Sequence, residues 1–210
     1  QGPPDRLGKV LGKTRSQLVS PLVGFLKTKN PIIHSPAILP SAWVKRINAS
    51  DAEVIHLHWI AGEMLSVEDV GRINKPVVWT LHDMWAFCGA EHLAWDDRWR
   101  EGYLFENRPS HESGFDLNRW AWGRKRKHWK SPMHIVTPSR WLGECARQSV
   151  LMRDWPLSVI PNCVDTDLWS PVEQTLARDL LNLRSDVPLL LFGTSGANAA
   201  HHKGFDLLMG

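Results

Sequence analysis

Two apolar runs of this sequence end in histidines, and these are the residues best suited to chemistry. His56 and His58 alternate along VIHLHW, so both side chains would lie on one face of a strand, while His82 and Asp83 close the stretch PVVWTLHD. An imidazole can hydrogen-bond a hydroxyl group or accept a proton near neutral pH, and it is also a common zinc ligand. Catalysis, metal binding and ordinary packing at a strand end are therefore the alternatives.

Metal binding is the least favoured of these alternatives. No acidic residue follows the two histidines of the first run until Glu63, and the sequence contains no HExxH pattern. Neither a cysteine zinc site nor a disulfide framework is predicted, because CxxC spacing is absent among the cysteines Cys88, Cys145 and Cys163. For His56, a histidine satisfied by a neighbour at a strand end stays an open alternative to a functional role.

The elements that must position these side chains follow from alternating apolar runs and helical patterns. Strands are predicted at Glu53–His58, Pro76–Leu81, Met133–Thr137, Leu157–Ile160 and Pro188–Phe192. Helices are predicted from Ser66 to about Asn74, from about Asp116 to Lys130, from Ser139 to about Ser149, and over Val172–Leu181. This alternation is typical of an α/β fold in which helices cover both faces of a parallel sheet.

Polar residues follow these predicted strands at the points where parallel sheets collect their ligands. The carboxyl ends of parallel strands meet at one edge of the sheet, and the loops that leave them converge there. The residues at these positions are His58, His82 with Asp83, Ser139 with Arg140, Asn162, and Lys203 with Gly204. The sequence therefore predicts a binding site along the carboxyl edge.

Composition sets the broad class of the protein. Hydrophobic residues make up 43% and charged residues 22% of the chain, and the formal net charge is +3. These values are typical of a soluble globular protein with a mildly basic surface, and no apolar run reaches the ~20 residues that span a bilayer. The cysteine usage fits a reducing cytoplasm. Since the chain begins with Gln1 and ends within an apolar pattern, we expect it to be part of a longer protein.

The stretch Arg119–Lys130, RWAWGRKRKHWK, combines six basic residues with three tryptophans on a predicted helix. Nucleic-acid binding is disfavoured, because it needs a wider basic footprint and base-reading elements. Attachment to an anionic membrane surface would place the basic residues on lipid phosphates and the tryptophans at headgroup level. A solvated basic face with tryptophans in the core is the alternative, and the sequence leaves both open.

Five motifs in order carry a resemblance to a known family. They read DAEVIHLHW, KPVVWTLHDMWAFCGAEH, IVTPSRWL, VIPNCVDTDLW and LLLFGTSGANAAHHKGFDLL. Over roughly Ile33–Leu208 the chain resembles a retaining glycosyltransferase of family 4, whose GT-B architecture has two Rossmann-like domains. The resemblance implies transfer of a sugar from a nucleotide-sugar to a saccharide or lipid-linked acceptor, with no cofactor or obligatory metal. It further implies polysaccharide or lipopolysaccharide biosynthesis in the cytoplasm, at the inner face of the membrane if Arg119–Lys130 contacts it.

The same resemblance gives roles to individual residues. His82 matches the histidine that faces the cleft near the donor sugar and the acceptor, so a catalytic role is expected for it. Lys203 matches the lysine that approaches the donor diphosphate, where its compact positive charge suits phosphate oxygens. Substrate-binding roles are expected for His58, Asp83, Glu91, His92, Ser139, Arg140 and Asn162.

Some features depart from the family pattern. Cys163 stands where the family's IPNGVD stretch has glycine. Many relatives carry a cysteine-bearing segment, suggestive of a metal or disulfide clip, where this chain has only Cys88.

The resemblance implies an acceptor-side domain over 1–182, incomplete at its N-terminus, and the first strand and loop of a truncated donor domain over 183–210. On its own this polypeptide is then expected not to turn over. The alternative is a non-catalytic carbohydrate- or membrane-interaction module derived from a glycosyltransferase.

Overall fold

The computed structural model describes residues 30–193 and 203–210, together with residues 14, 15, 17–21, 23 and 24. The chain forms two compact units, Gln1–Asn162 and Cys163–Gly210, and each is described by itself. The predicted boundary after residue 182 separates an acceptor-side domain from a donor domain. The division into two compact units does not test these roles, so the boundary stays a prediction.

A four-stranded parallel sheet in the order β1-β2-β3-β4 is the framework of the first unit. Its strands are β1 Ile55–Leu57, β2 Val77–Thr80, β3 His134–Thr137 and β4 Leu157–Val159. Leu57 pairs with Trp79, and at the other end of the sheet Thr137 pairs with Val159. The four strands predicted for this part of the chain are confirmed, each somewhat shorter than predicted, and the α/β class is confirmed with them.

The helices of this unit include α1 Trp43–Ala49, α2 Val67–Gly71, α3 Arg98–Glu101, α4 Leu117–His128 and α5 Arg140–Gln148, and the described residues among 14–24 are also helical. The predicted capping box before α2 is present, since Ser66 and Asp69 each accept a hydrogen bond from the other's backbone N–H, at 3.1 and 3.0 Å. Ser139 caps α5 by accepting from the backbone of Leu142 at 3.2 Å. The sequence did not predict α1 or α3.

The core of the first unit lies against one face of the sheet. Leu57, Trp79 and Ile135 point into it and are buried, and the Trp79 ring packs edge-on against Trp129 with centroids 5.3 Å apart. The opposite face is only partly covered, because His56 on it is exposed. The sequence predicted that both faces of the sheet are covered, and in the described residues only one face is fully covered. None of the described helices is long and apolar enough to cross a membrane.

The second unit contains α6 Gln174–Leu180 and α7 Phe205–Met209. The first of these confirms the predicted helix in shortened form. The strand predicted at Pro188–Phe192 is wrong: residues 188–192 form no strand, and Leu190 and Leu191 are 79% and 95% exposed. A strand needs backbone partners, and the described residues of this unit include none that supply them. Most of the predicted loop Gly193–Gly204 lies outside the described residues.

Candidate active site

The carboxyl ends of β1 and β2 bring His58 and His82 into direct contact. Nδ1 of His58 lies 3.0 Å from Nε2 of His82, and the two rings stack with centroids 5.3 Å apart. One nitrogen must carry a hydrogen and the other must accept it, so the two rings share a single proton at this contact. Both side chains are exposed at the edge of the sheet.

His56 is the third ring of the group, and it already has a hydrogen-bond partner. Its Nε2 lies 2.8 Å from Oγ1 of Thr80, and its ring centroid is 4.3 Å from that of His58. Burial lowers the pKa of His58 below its usual 6.5, and repulsion from His56 and His82 lowers it further. Among the described residues, no group of three or more His, Cys, Asp or Glu side chains is arranged to hold a metal ion.

Asp83 leads into a buried hydrogen-bonded chain that the sequence did not predict. Its Oδ2 lies 2.6 Å from Nδ1 of His92, and Nε2 of His92 lies 2.9 Å from the hydroxyl of Ser35. The carboxylate accepts from Nδ1, so in the neutral ring Nε2 accepts from the Ser35 hydroxyl. A Ser-His-Asp order is also that of a nucleophilic triad. Ser35 is only 4% exposed, however, so the chain holds Asp83 in place instead of presenting a nucleophile.

Glu91 and His92 lie in the interior, which the sequence did not predict, and the substrate-binding roles expected for them stay predictions. Glu91 is 2% exposed and His92 6%. The Oε1 atom of Glu91 accepts from the Tyr103 hydroxyl at 2.6 Å, and its Oε2 accepts from Asn30 and Asn118, both at 3.0 Å. Burial raises the pKa of Glu91. Both side chains therefore support the loop behind the histidines.

A buried lysine of α4 hydrogen-bonds the backbone of the loop that follows β2. Lys125 is fully buried and donates to the backbone oxygens of Trp85, Cys88 and Gly89, the last two at 3.1 and 2.7 Å. Its ammonium also lies 3.9 Å from the centroid of the Trp85 ring. Burial lowers the pKa of Lys125 to about 7. The sequence placed this residue in an exposed basic helix, and periodicity alone gave no signal of its burial.

One comparison decides the family. A family model described as Glycosyltransferase Family 4 matches residues 6–168. That span is well over half of the 210 residues. The chain belongs to glycosyltransferase family 4. Neither a curated protein nor a solved structure matches it. Membership supports a glycosyltransferase in general, with a sugar donor and an acceptor as its substrates.

The remaining predicted positions of this glycosyltransferase lie at the same edge or in the second unit. Ser139 and Arg140 follow β3 and Asn162 follows β4, and all three are exposed. Because the strands are parallel, they share the carboxyl edge with His58 and His82, which confirms the predicted arrangement although not their roles. Lys203 is exposed in the second unit. The edge therefore offers imidazole, hydroxyl, guanidinium and amide groups, a set suited to sugar hydroxyls.

Proposed function

We propose that this chain comprises the acceptor-side domain and the start of the donor domain of a retaining hexosyltransferase that uses a nucleotide-sugar donor. The observation that carries the proposal is the hydrogen-bonded pair of His58 and His82, exposed at the carboxyl edge of a parallel sheet. Ligands of such sheets bind at that edge. The family match supplies the class of reaction, and the retaining stereochemistry rests on the resemblance of the five motifs.

His82 has the central role in the proposed mechanism. Its contact with His58 occupies Nε2, so a hydrogen bond to an acceptor hydroxyl uses Nδ1. A ring held in this way orients the hydroxyl and takes up its proton as the bond to the sugar forms. Lys203 places a positive charge against the diphosphate that leaves with the nucleotide, which makes a metal or other cofactor unnecessary.

The proposed surroundings of the reaction follow from the resemblance. Ser139, Arg140 and Asn162, with His58 and Asp83, line the acceptor side. The acceptor is a saccharide or a lipid-linked saccharide of polysaccharide or lipopolysaccharide assembly. The proposed location is the cytoplasm at the inner face of the membrane, with peripheral contact through the region Arg119–Lys130 and no nucleic-acid partner.

A transfer assay on the longer protein of which this chain is expected to be part, with a panel of nucleotide-sugars and a glycan array, tests the proposal. Product mass identifies a transferred hexose, and NMR of the new linkage shows whether the anomeric configuration of the donor is retained. We expect transfer that is strongly reduced in His82→Ala and preserved in Trp95→Ala, which changes an exposed tryptophan to which no role is assigned. Glycan binding without transfer from any donor would overturn the proposal and favour a non-catalytic carbohydrate-binding module.

A further inference from the structure

The fold removes much of the basic stretch Arg119–Lys130 from the surface. Trp122 and Trp129 are buried at 5% and 4% exposure, and Lys125 is fully buried. Arg124 is partly buried, and its Nε donates to Oε1 of Glu68 at 2.8 Å. The tryptophans that would sit at headgroup level are therefore mostly core residues, and a membrane contact needs another source of apolar surface.

Exposed aromatic side chains near the start of α4 supply such a surface. Phe105 is 71%, Phe115 52% and Trp120 40% exposed. The rings of Phe115 and Trp120 are in contact, with centroids 6.1 Å apart. The guanidinium of Arg119 lies 5.6 Å from the centroid of the Phe105 ring, which joins that ring to the helix. We call these four residues the aromatic–cationic surface.

Uncompensated positive charge continues from this surface along α4. Arg126 and Lys127 are exposed and lie seven or eight residues after Arg119, a spacing that keeps all three on one side of the helix. None of the three forms an ion pair with a carboxylate of the described residues. By contrast, the nearby Arg98 and Arg108 both lie within 4 Å of the largely buried carboxylates of Glu112 and Asp116.

We propose that the aromatic–cationic surface, with Arg126 and Lys127, docks the protein on an anionic bilayer. Aromatic rings are favourable at the level of the lipid headgroups, and guanidinium and ammonium groups are attracted to the phosphates of anionic lipids. The inference rests on the membrane contact in the proposed function and assigns it to particular residues. Three neighbouring cations without carboxylates beside exposed aromatic rings fit an anionic lipid surface, because its phosphates attract the cations and its headgroup region accommodates the rings.

Co-sedimentation of the whole chain with vesicles tests the inference. The vesicles are phosphatidylcholine alone or phosphatidylcholine mixed with phosphatidylglycerol. We expect binding to the mixed vesicles only, weakened by salt. The apparent affinity should fall by about tenfold or more in Phe105→Ser/Phe115→Ser/Trp120→Ser and in Arg119→Gln/Arg126→Gln/Lys127→Gln. The matched control, Trp95→Ser/Arg147→Gln, changes an exposed tryptophan and an exposed arginine elsewhere and should bind as the parent does.

The outcomes separate this inference from the proposals on which it rests. Unchanged vesicle binding by both triple variants, with native circular dichroism, would overturn the inference and leave membrane contact to another surface. If the unmodified protein bound neither kind of vesicle, both this inference and the proposed membrane contact would be overturned. The transfer assay would still test the enzymatic activity separately. Self-association that is lost in the triple variants, without vesicle binding, would identify an interface between copies and overturn the inference.

Discussion

His58 and His82 act as a single chemical group. Their nitrogens are 3.0 Å apart, and a hydrogen bond between two imidazoles needs one donor and one acceptor. Hydrogens on both facing nitrogens would leave this contact without an acceptor, so only one of the two rings can donate in it. The orientation of the His82 ring toward a substrate therefore depends on its hydrogen bond to His58, and an acid or base needs such positioning.

Substitution of His82 should affect turnover far more than donor binding. In the longer protein of which this chain is expected to be part, His82→Ala should lower the rate of sugar transfer by about 10²–10⁴-fold, the usual cost of losing a positioned proton-transfer group. The affinity for the nucleotide-sugar should change little, because the lost interaction is made mainly in the transition state. Steady-state transfer assays and calorimetric titration of the donor measure the two quantities separately.

Lys203→Ala provides the contrast to that experiment. Its charge opposes the diphosphate in the ground state and in the transition state, so the substitution should weaken donor binding as well as turnover. Transfer by His82→Ala at close to the normal rate would assign His82 to packing. The histidines at the ends of β1 and β2 would then be structural residues.

The pKa of His58 gives a test that needs no substrate. Burial and the neighbouring rings lower it below 6.5, and the removal of one ring should raise it. In NMR titrations we expect the imidazole of His58 to titrate below pH 6.5 in the parent and nearer to that value in His56→Gln and His82→Gln. A parent value at or above 6.5 would contradict the arrangement of the three rings.

The same shift fixes the sign of one contribution to stability. The folded chain binds the His58 proton less readily than the unfolded chain does. Between the folded-state pKa and 6.5 the unfolded state holds more protons, so the unfolding free energy rises with pH in that window. Below the folded-state pKa both states carry the proton, and the loss of unfolding free energy caused by the lowered pKa of His58 is complete.

At the scale of single elements, the sequence predicted what local patterns determine. The four strands of the sheet and the capping box of Ser66 and Asp69 depend on spacing within a few residues, and all of them formed. The burial of Lys125 and Glu91 depends on partners far away in sequence, such as the backbone of Trp85 and the hydroxyl of Tyr103. Polar residues without periodicity gave no local signal of this, and the Ser35–His92–Asp83 chain was missed for the same reason.

Lys125 should be required for the stability of the loop that carries the site. Lys125→Met leaves the oxygens of Trp85, Cys88 and Gly89 without their donor, and we expect a loss of about 3 kcal/mol in unfolding free energy. Urea unfolding at neutral pH measures this. The matched control, Lys127→Met, changes an exposed lysine on the same helix and should lose less than about 0.5 kcal/mol.

The pH dependence of that loss has a definite sign. The pKa of Lys125 is about 7 in the folded chain and 10.5 in the unfolded chain, so between these values the unfolded state binds the extra proton. The unfolding free energy of the parent therefore rises with pH across this window, and that of the methionine variant lacks this contribution. The difference between the two proteins should be larger at pH 9 than at pH 6, and an equal difference would contradict the lowered pKa.

At the scale of the molecule, the sheet explains why distant motifs form one site. His58, His82, Ser139 and Asn162 are separated by up to about a hundred residues, yet each follows a parallel strand and so lies at the same edge. That part of the site could be predicted once the strands were recognised. The supporting layer behind it could not, since its contacts are set by how the long segment between β2 and α4 folds back on the core.

The two compact units should differ sharply in their contribution to stability. The main core cluster runs from Ala37 to Met152, entirely within the first unit. In the second unit, no described residue is buried. Hydrophobic burial dominates folding stability, so the first unit should carry nearly all of the unfolding free energy of the chain.

A chain that ends after Asn162 tests this distribution. We expect its urea midpoint to match that of the whole chain, because the residues that form the core are unchanged. The m-value should also agree within about 15%, since m scales with the surface exposed on unfolding and the described part of the second unit buries little. The control is a chain that ends after Gln148 and so lacks β4 and Met152, and it should lose cooperative unfolding. A lower midpoint for the Asn162 chain would show that residues 163–210 stabilise the first unit.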